Sequence, residues 1–274
     1  MRMAFITKIT SQQKNAERYN IYLDYGKGEE FGFGVDEHTL LKHGLAKGKE
    51  LSELDIAEIC TGDHVRKAYN SALDFLSYRM RSTMEIKQQL EKKEFQPETI
   101  QEVLHQLDES GLLNDQQFAD AFTRTQWQSS GKGPAVIRQE LIKKGIAPLD
   151  IEQALSLYSH EEQRDAAMVH AEKFMKKNHA ISAFQIQKKL EQLLIRKGFS
   201  FNLISEVVQS LEFGGDQDDE KEALAKQANK VMYKYNKGND YEYRQKMKQY
   251  LYRKGFQIEL IDEFLENPEE FIQG

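Results

Sequence analysis

A tandem repeat constrains the fold of this chain more than any other feature of its sequence. A segment with a leucine, a basic pair two residues later and a closing aromatic or aliphatic residue occurs four times. The copies are Leu90–Phe95, Leu141–Ile146, Leu194–Phe199 and Leu251–Phe256, and their leucines are 51, 53 and 57 residues apart. A period of about 50 residues is typical of proteins whose repeats stack and share a core.

Apolar residues keep a fixed distance from each of these leucines. They stand four residues before it and 10, 13 and 14 residues after it, and spacings of three and four place them on one face of a helix. The positions are Ile86, Ile137, Leu190, Met247; Ile100, Ile151, Ile204, Ile261; Val103, Ala154, Val207, Phe264; and Leu104, Leu155, Val208, Leu265. We therefore predict repeats of three helices, with the second and third helices aligned across all four copies.

Residues that begin and end helices agree with this division. Gly145, Gly198 and Gly255 stand where the second helix needs a left-handed residue after its end, and the first repeat has Glu94 there, which should cost stability. Ser or Asn followed three residues later by an acid or amide predicts helix starts. These pairs are Ser52/Asp55, Ser82/Glu85, Asn114/Gln117, Ser159/Glu162 and Ser182/Gln185.

The first 35 residues have strand periodicity instead. Apolar and polar residues alternate over 19–24 and 31–35, and Tyr25–Gly28 supplies turn residues between them, so a β-hairpin is predicted. Phe5–Thr10 is a third candidate strand. Asp36 is the predicted N-cap of a short helix, and Thr61-Gly62 is predicted to interrupt the helix that follows.

The predicted fold is mainly all-α, with four tandem three-helix repeats forming an elongated curved rod and a small N-terminal β segment. The predicted segments are residues 1–62 for the N-terminal β-strand and helix segment and 63–110, 111–158, 159–214 and 215–274 for repeats 1 to 4.

Composition excludes several classes of protein. The net charge of −6 is spread evenly along the chain, and no arm is strongly basic. Avid nonspecific binding to nucleic acid is therefore not predicted. Cys60 is the only cysteine, so no intrachain disulfide can form, as in a reducing compartment. No signal peptide and no apolar run of about 18 residues is found, so we expect a cytoplasmic protein that does not enter the membrane.

A search for catalytic or metal-binding patterns finds none. The seven histidines lack the spacing of metal ligands, and Gly44–Glu50 lacks the spacer and the hydroxyl residue of a phosphate-binding loop. We assign no catalytic, cofactor-binding or metal-binding residue and expect no cofactor. An enzyme with an unrecognised site is the least favoured alternative.

The basic pairs are the best candidates for function, because they recur at one position of every repeat. Cations in the last turn of a helix also stabilise its negative end by about 0.3–1 kcal/mol, so the fold alone explains part of the pattern. Further basic residues lie near the first two pairs. The candidates for partner or DNA binding are Arg79, Arg81, Lys92, Lys93, Arg124, Lys132, Arg138, Lys143, Lys144, Arg196, Lys197, Arg253 and Lys254.

A resemblance to a known family appears between residues 65 and 160. It rests on these segments: Leu76-Ser77-Tyr78-Arg79, Glu85, Leu90, Gly111–Asp115, Phe118-Ala119, Gly131–Pro134, Ile137, Glu140-Leu141 and Lys144-Gly145. This string resembles the RecX family of bacterial recombination regulators, and the rest of the chain resembles its longer, Gram-positive type. Asn114 stands where many members have Asp, and either residue can cap a helix.

The resemblance implies a monomer without a cofactor that binds the RecA recombinase and its filament on single-stranded DNA. It implies that the protein restrains strand exchange, ATP hydrolysis and coprotease activity, with a role in DNA repair and the SOS response. The alternative is a module that binds single-stranded DNA directly, modestly and in a salt-dependent way, without contacting the recombinase.

Overall fold

The computed structural model describes residues 3–13, 15–178, 181–213, 217–235 and 239–271. They fold into two compact units. The first unit consists of Met1–Phe118 with Lys144–Ile146, and the second unit consists of Ala119–Lys143 with Ala147–Gly274. Among the described residues, no helix is both long and apolar enough to cross a membrane.

The first unit begins with an antiparallel sheet of four strands. They are β1 Met3–Gln12, β2 Asn15–Asp24, β3 Glu29–Asp36 and β4 Glu50–Ser52, arranged in the order β3-β2-β1-β4. The predicted hairpin joins β2 to β3, and the Asp24 carboxylate accepts hydrogen bonds from the N–H groups of Gly26, Lys27 and Gly28 in its turn. The hairpin and the strand over Phe5–Thr10 are confirmed, whereas β4 was not predicted, because three residues are too short to show periodicity.

Two helices pack against the inner face of this sheet, α1 Glu37–Lys42 and α2 Glu53–Ser77. The predicted interruption at Thr61-Gly62 is wrong, because α2 continues through both residues. Buried Asp63 on α2 joins the helix to the sheet, since its carboxylate accepts hydrogen bonds from Arg18 Nη2 at 2.8 Å and from the Asp36 N–H at 2.9 Å. The packing of the helical segments before and after Gly62 outweighs the cost of a glycine inside a helix, which is about 1 kcal/mol.

The remaining helices follow the predicted three-helix pattern. The first unit adds α3 Thr83–Lys92, α4 Pro97–Glu109 and the start of α5 Asp115–Ser130. The second unit contains the rest of α5 and α6 Pro134–Lys143, α7 Pro148–Ser156, α8 His160–Met175, α9 Ala183–Lys197, α10 Phe201–Gln209, α11 Gln217–Tyr235, α12 Asp240–Arg253 and α13 Ile258–Glu266, with a 3₁₀ turn over Pro268–Phe271.

The aligned apolar positions form the core of each repeat. The four leucines and the residues four before, 10 after and 13 after them are all buried. The position 14 residues after the leucine is buried in repeats 2 and 3 and half-buried at Leu104 and Leu265. The amphipathic pattern of the sequence thus marks the core of each repeat.

Helix ends also follow the sequence prediction. The side chains of Ser52, Ser82, Asn114, Ser159 and Ser182 all accept a hydrogen bond from the backbone N–H three residues later. Gly145, Gly198 and Gly255 have positive φ. Glu94 has φ 62° and is the one non-glycine residue with positive φ in the described part of the chain. The cost in stability expected at this position stays a prediction.

Backbone carbonyl groups near the ends of second helices accept hydrogen bonds from the starts of other second helices. In the first unit, Ser82 Oγ donates to the carbonyl of Lys144 at 2.8 Å. In the second unit, Ser182 Oγ donates to the carbonyl of Lys254 at 2.5 Å, and the Gly133 N–H donates to the carbonyl of Lys197 at 2.8 Å. These bonds satisfy C-terminal carbonyl groups that the helices leave unpaired.

Candidate partner interface

The four basic pairs lie at the ends of second helices. Helices α3, α6, α9 and α12 end at Lys92, Lys143, Lys197 and Arg253. The cations therefore stand at the negative end of a helix dipole in every repeat. This arrangement supports the fold-based explanation of the pairs, and only the surroundings of each side chain can show which cations do more.

The second member of three pairs has a contact within the protein. Lys93 Nζ donates to Ser71 Oγ at 2.6 Å, and Lys144 Nζ lies 2.7 Å from Glu85 Oε1. Lys254 Nζ lies 5.4 Å from the centroid of the Tyr250 ring, within the range of a cation–π contact. In the fourth pair, Lys197 is half-buried. These positions serve the folded structure.

The first member of each pair points to solvent. Lys92, Lys143 and Arg196 are exposed, and within the described ranges their side chains have no hydrogen bond or ion pair. Arg253 is also exposed and donates only to the carbonyl of Gln249 on its own helix, at 3.3 Å. Four cations at one repeat position are thus available to a partner. Sequence spacing could not separate Lys92 and Lys143 from their neighbours, because the contacts of Lys93 and Lys144 are made with residues distant in the chain.

Glu85 in the first unit binds two of the predicted candidates. Both terminal nitrogens of Arg79 donate hydrogen bonds to the Glu85 carboxylate, at 3.0 and 3.2 Å. Lys144, 59 residues away in the sequence, donates a third. Burial alone would raise the pKa of Glu85. The hydrogen bonds from Arg79, Lys144 and the Ser82 N–H outweigh it and lower the pKa to about 2. Arg79 and Lys144 therefore contribute to a structural ion cluster.

The other predicted candidates are also mostly occupied. Lys132 Nζ lies 2.6 Å from Glu140 Oε1, and Arg138 pairs with Glu152. The Arg81 guanidinium lies 3.9 Å from the centroid of the Phe75 ring. Arg124 on α5 is exposed and has no side-chain partner in the part of the chain that the structure describes. Within the described structure, seven of the thirteen candidates thus have a contact with another side chain.

An open groove of about 610 Å³ in the first unit offers little catalytic geometry. Its lining includes His38, His43, Glu58 and Glu102, yet no hydrogen bond joins these histidines to these carboxylates in the described chain. The described residues likewise contain no group of three or more His, Cys, Asp or Glu placed to hold a metal ion. Burial also raises the pKa of the Cys60 thiol, which disfavours its reactive thiolate form.

Family models match the chain in five consecutive segments. The model of the regulatory protein RecX N-terminal domain matches residues 4–52. The first and second three-helix domains of RecX match residues 68–107 and 114–155. The third three-helix domain matches twice, at 161–208 and 218–265, so repeats 3 and 4 are both similar to one domain type.

Individual relatives and solved structures give the same result. The chain is 47% identical to the regulatory protein RecX of Bacillus subtilis, covering 97% of this chain and all of the relative. It is 48% identical to that of Bacillus licheniformis, covering 96% and 99%. A crystal structure of regulatory protein RecX matches with a TM-score of 0.65 and 35% identity, covering 76% of this chain and all of the other. RecX from Lactobacillus salivarius matches with a TM-score of 0.53 and 35% identity, covering 55% and 97%.

Proposed function

The chain belongs to the RecX family of regulatory proteins, and from this premise we propose that it binds the RecA recombinase filament on single-stranded DNA and restrains its activities. The restrained activities are ATP hydrolysis, strand exchange and coprotease function. The protein would act in the cytoplasm, as a monomer, without catalytic chemistry or a cofactor of its own.

One observation carries the proposal beyond family membership, namely the recurrence of an exposed first cation in every repeat. Lys92, Lys143, Arg196 and Arg253 share one repeat position, and none has a carboxylate partner among the described residues. A partner built from identical protomers offers the same binding site at regular intervals. Once one repeat is bound, the other repeats on the same chain are held at a high effective concentration near the partner. Several weak contacts therefore give strong binding overall.

The proposed segment boundaries fit this arrangement. Each matched family domain lies inside one predicted segment: 4–52 in 1–62, 68–107 in 63–110, 114–155 in 111–158, 161–208 in 159–214, and 218–265 in 215–274. We therefore propose that each segment from 63 onward is one structural module of the array.

The test is the ATPase rate of the recombinase on single-stranded DNA at increasing concentrations of this protein. We expect the rate to fall as the protein approaches the recombinase concentration, and an unchanged rate would contradict the proposal. Replacing Lys143, Arg196 and Arg253 together by Glu should weaken the inhibition about tenfold or more, because each change puts a negative charge where the proposed contact with the recombinase uses a positive one. The matched control replaces Lys47, Lys176 and Lys230, exposed lysines outside this repeat position, by Glu.

Direct binding to single-stranded DNA is the second candidate function, favoured by the same exposed cations. It predicts affinity for naked DNA that falls steeply as salt rises, because phosphate contacts release counterions. Fluorescence anisotropy of a labelled oligonucleotide at low and moderate salt measures this. With a net charge of −6 we expect modest affinity, and no binding at low salt would eliminate the candidate.

A further inference from the structure

The first cation of the pair has an exposed apolar neighbour in repeats 2, 3 and 4. The residue between the buried leucine and this cation is Ile142, Ile195 or Tyr252. Each of these side chains is between 44% and 60% exposed. Single exposed apolar residues are common on protein surfaces, but recurrence at one repeat position is not expected from chance.

A second exposed apolar residue follows in the same three repeats, at the start of the third helix. Phe201 and Ile258 are the first residues of α10 and α13, and Leu149 is the second residue of α7. They are 76%, 44% and 77% exposed. Each repeat thus carries an apolar residue, a cation and a second apolar residue within eight residues. We name these the docking sets: Ile142/Lys143/Leu149, Ile195/Arg196/Phe201 and Tyr252/Arg253/Ile258.

Repeat 1 keeps the cation and lacks the apolar residues. Its corresponding positions are Glu91 and Lys92, then Pro97 in the place of Phe201 and Ile258 and Glu98 in the place of Leu149, and all four are exposed. Lys92 and Lys143 each close a second helix, so the helix dipole acts alike on both. The dipole therefore explains the cations but cannot explain why apolar residues accompany them only in repeats 2, 3 and 4.

We infer that the docking sets of repeats 2, 3 and 4 each bind a carboxylate beside an apolar depression on successive recombinase protomers, whereas repeat 1 does not. This inference rests on the proposed function and specifies which repeats make the contact. The cation of each set lacks a carboxylate partner in the described structure, which makes the sets complementary to an acidic site. Flanking apolar side chains exclude water from the ion pair and strengthen it.

The docking set of repeat 2 favours protein over nucleic acid as the occupant. A phosphate would attract Lys143 or Arg196 equally well, and Phe201 and Tyr252 offer rings to a base in repeats 3 and 4. In repeat 2, however, neither Ile142 nor Leu149 has a ring on which a base could stack. All three docking sets lie in the second unit, on consecutive repeats. A partner with one acidic, partly apolar site on each identical protomer matches three equal sets in series.

The test compares Lys143→Glu with Lys92→Glu in the full-length protein, using inhibition of the recombinase ATPase on single-stranded DNA. Both changes reverse an exposed, unpaired cation at a helix end, so their cost to folding is matched. We expect Lys143→Glu to raise the half-inhibitory concentration about tenfold, and Lys92→Glu to change it by less than about twofold. Equal effects would overturn the inference.

A gain of function provides the reciprocal test. Glu91→Ile combined with Glu98→Leu gives repeat 1 a docking set around Lys92, and a fourth linked contact should lower the half-inhibitory concentration several-fold. No change in that concentration would count against the inference. Circular dichroism melting of each variant checks that it remains folded.

The outcomes separate the inference from the function on which it rests. If the natural protein leaves the ATPase rate unchanged, the proposed function fails. If the natural protein inhibits and Ile142→Ser with Leu149→Ser inhibits equally, only the inference fails. If this double variant loses affinity for a naked oligonucleotide in proportion to its loss of inhibition, the docking sets bind nucleic acid, and the protein occupant is overturned.

Discussion

Two single residues set measurable properties of this fold, Glu94 through its backbone and Glu85 through its charge. Glu94 holds a left-handed conformation that its three counterparts reach as glycine. Glu85 gathers Arg79, Lys144 and the Ser82 N–H around one carboxylate. Each residue can be changed alone, and each change has a matched control variant.

Glu94→Gly should stabilise the protein by about 0.5–1 kcal/mol, because glycine adopts positive φ without the clash of a β-carbon. Urea unfolding measures the change. Glu94 also places a negative charge after the end of α3, where charge is unfavourable. Glu94→Ala separates the two causes, since it removes the charge and keeps the β-carbon. An equal gain from Ala would show that charge and not backbone strain is responsible.

Glu85→Gln should destabilise the protein at pH 7 by about 1 kcal/mol, after allowance for solvent screening. The pKa of Glu85 is about 2 in the folded protein and near its ordinary value of 4.5 when unfolded. A lowered pKa stabilises above pH 4.5, and that stabilisation is lost as pH falls toward 2. The stability gap between natural protein and variant should therefore close over this range. Glu91→Gln, at an exposed carboxylate of the same helix, is the matched control variant.

At the scale of elements, the second unit is held together where one second helix begins against the end of another. Gly133 shows how close this approach is, because a β-carbon there would lie 2.4 Å from the carbonyl carbon of Gly198. Backbone cannot move aside as a flexible side chain can. Glycine is required at this position because the backbone of another segment of the chain lies so close, and not because of its own φ.

Gly133→Ala should consequently destabilise the protein by about 2 kcal/mol or more. Gly62→Ala is the matched control, since Gly62 lies inside α2 and its added β-carbon would meet no atom within 4 Å. That change should stabilise by about 0.5–1 kcal/mol through helix propensity. Thermal unfolding of both variants gives the comparison, and two changes of the same sign would contradict the account.

For the whole molecule, the local nature of the core predicts local consequences of mutation. Stability in repeat proteins is approximately a sum over repeats and their nearest neighbours. In Gly133→Ala, amide hydrogen exchange should therefore rise most in α6 and α9 and least in the β2–β3 hairpin. Mass spectrometry of peptides from each element measures this. A uniform rise would show that the chain opens as one cooperative unit.

Sequence reasoning succeeded where a property is repeated or local. The buried face around Leu90, Leu141, Leu194 and Leu251 needed only helical spacing, and the helix caps needed only a residue and its third neighbour. It failed where distant packing decides. Gly62 stays helical because the helix on either side of it packs against distant parts of the chain. The ion pair between Lys144 and Glu85 joins two residues whose spacing follows no sequence period.

The candidate site shows the same limit. The repeat position of the basic pairs was visible in the sequence, but the two members of each pair looked alike. Contacts with Ser71, Glu85 and Tyr250 separate the second member from the first. The binding role of the first member remains a prediction until a variant is measured.

The hydrogen bonds from Ser82, Ser182 and Gly133 have a consequence for how this chain can evolve. Their acceptors are main-chain carbonyl groups of Lys144, Lys254 and Lys197, and every amino acid supplies such a carbonyl. Mutation at an acceptor position can thus change the side chain there while this bond to the neighbouring helix persists. Since the bond needs no particular side chain at the acceptor, selection can vary the sequence of a repeat, or extend such a chain by duplication, and keep the same way of joining its parts.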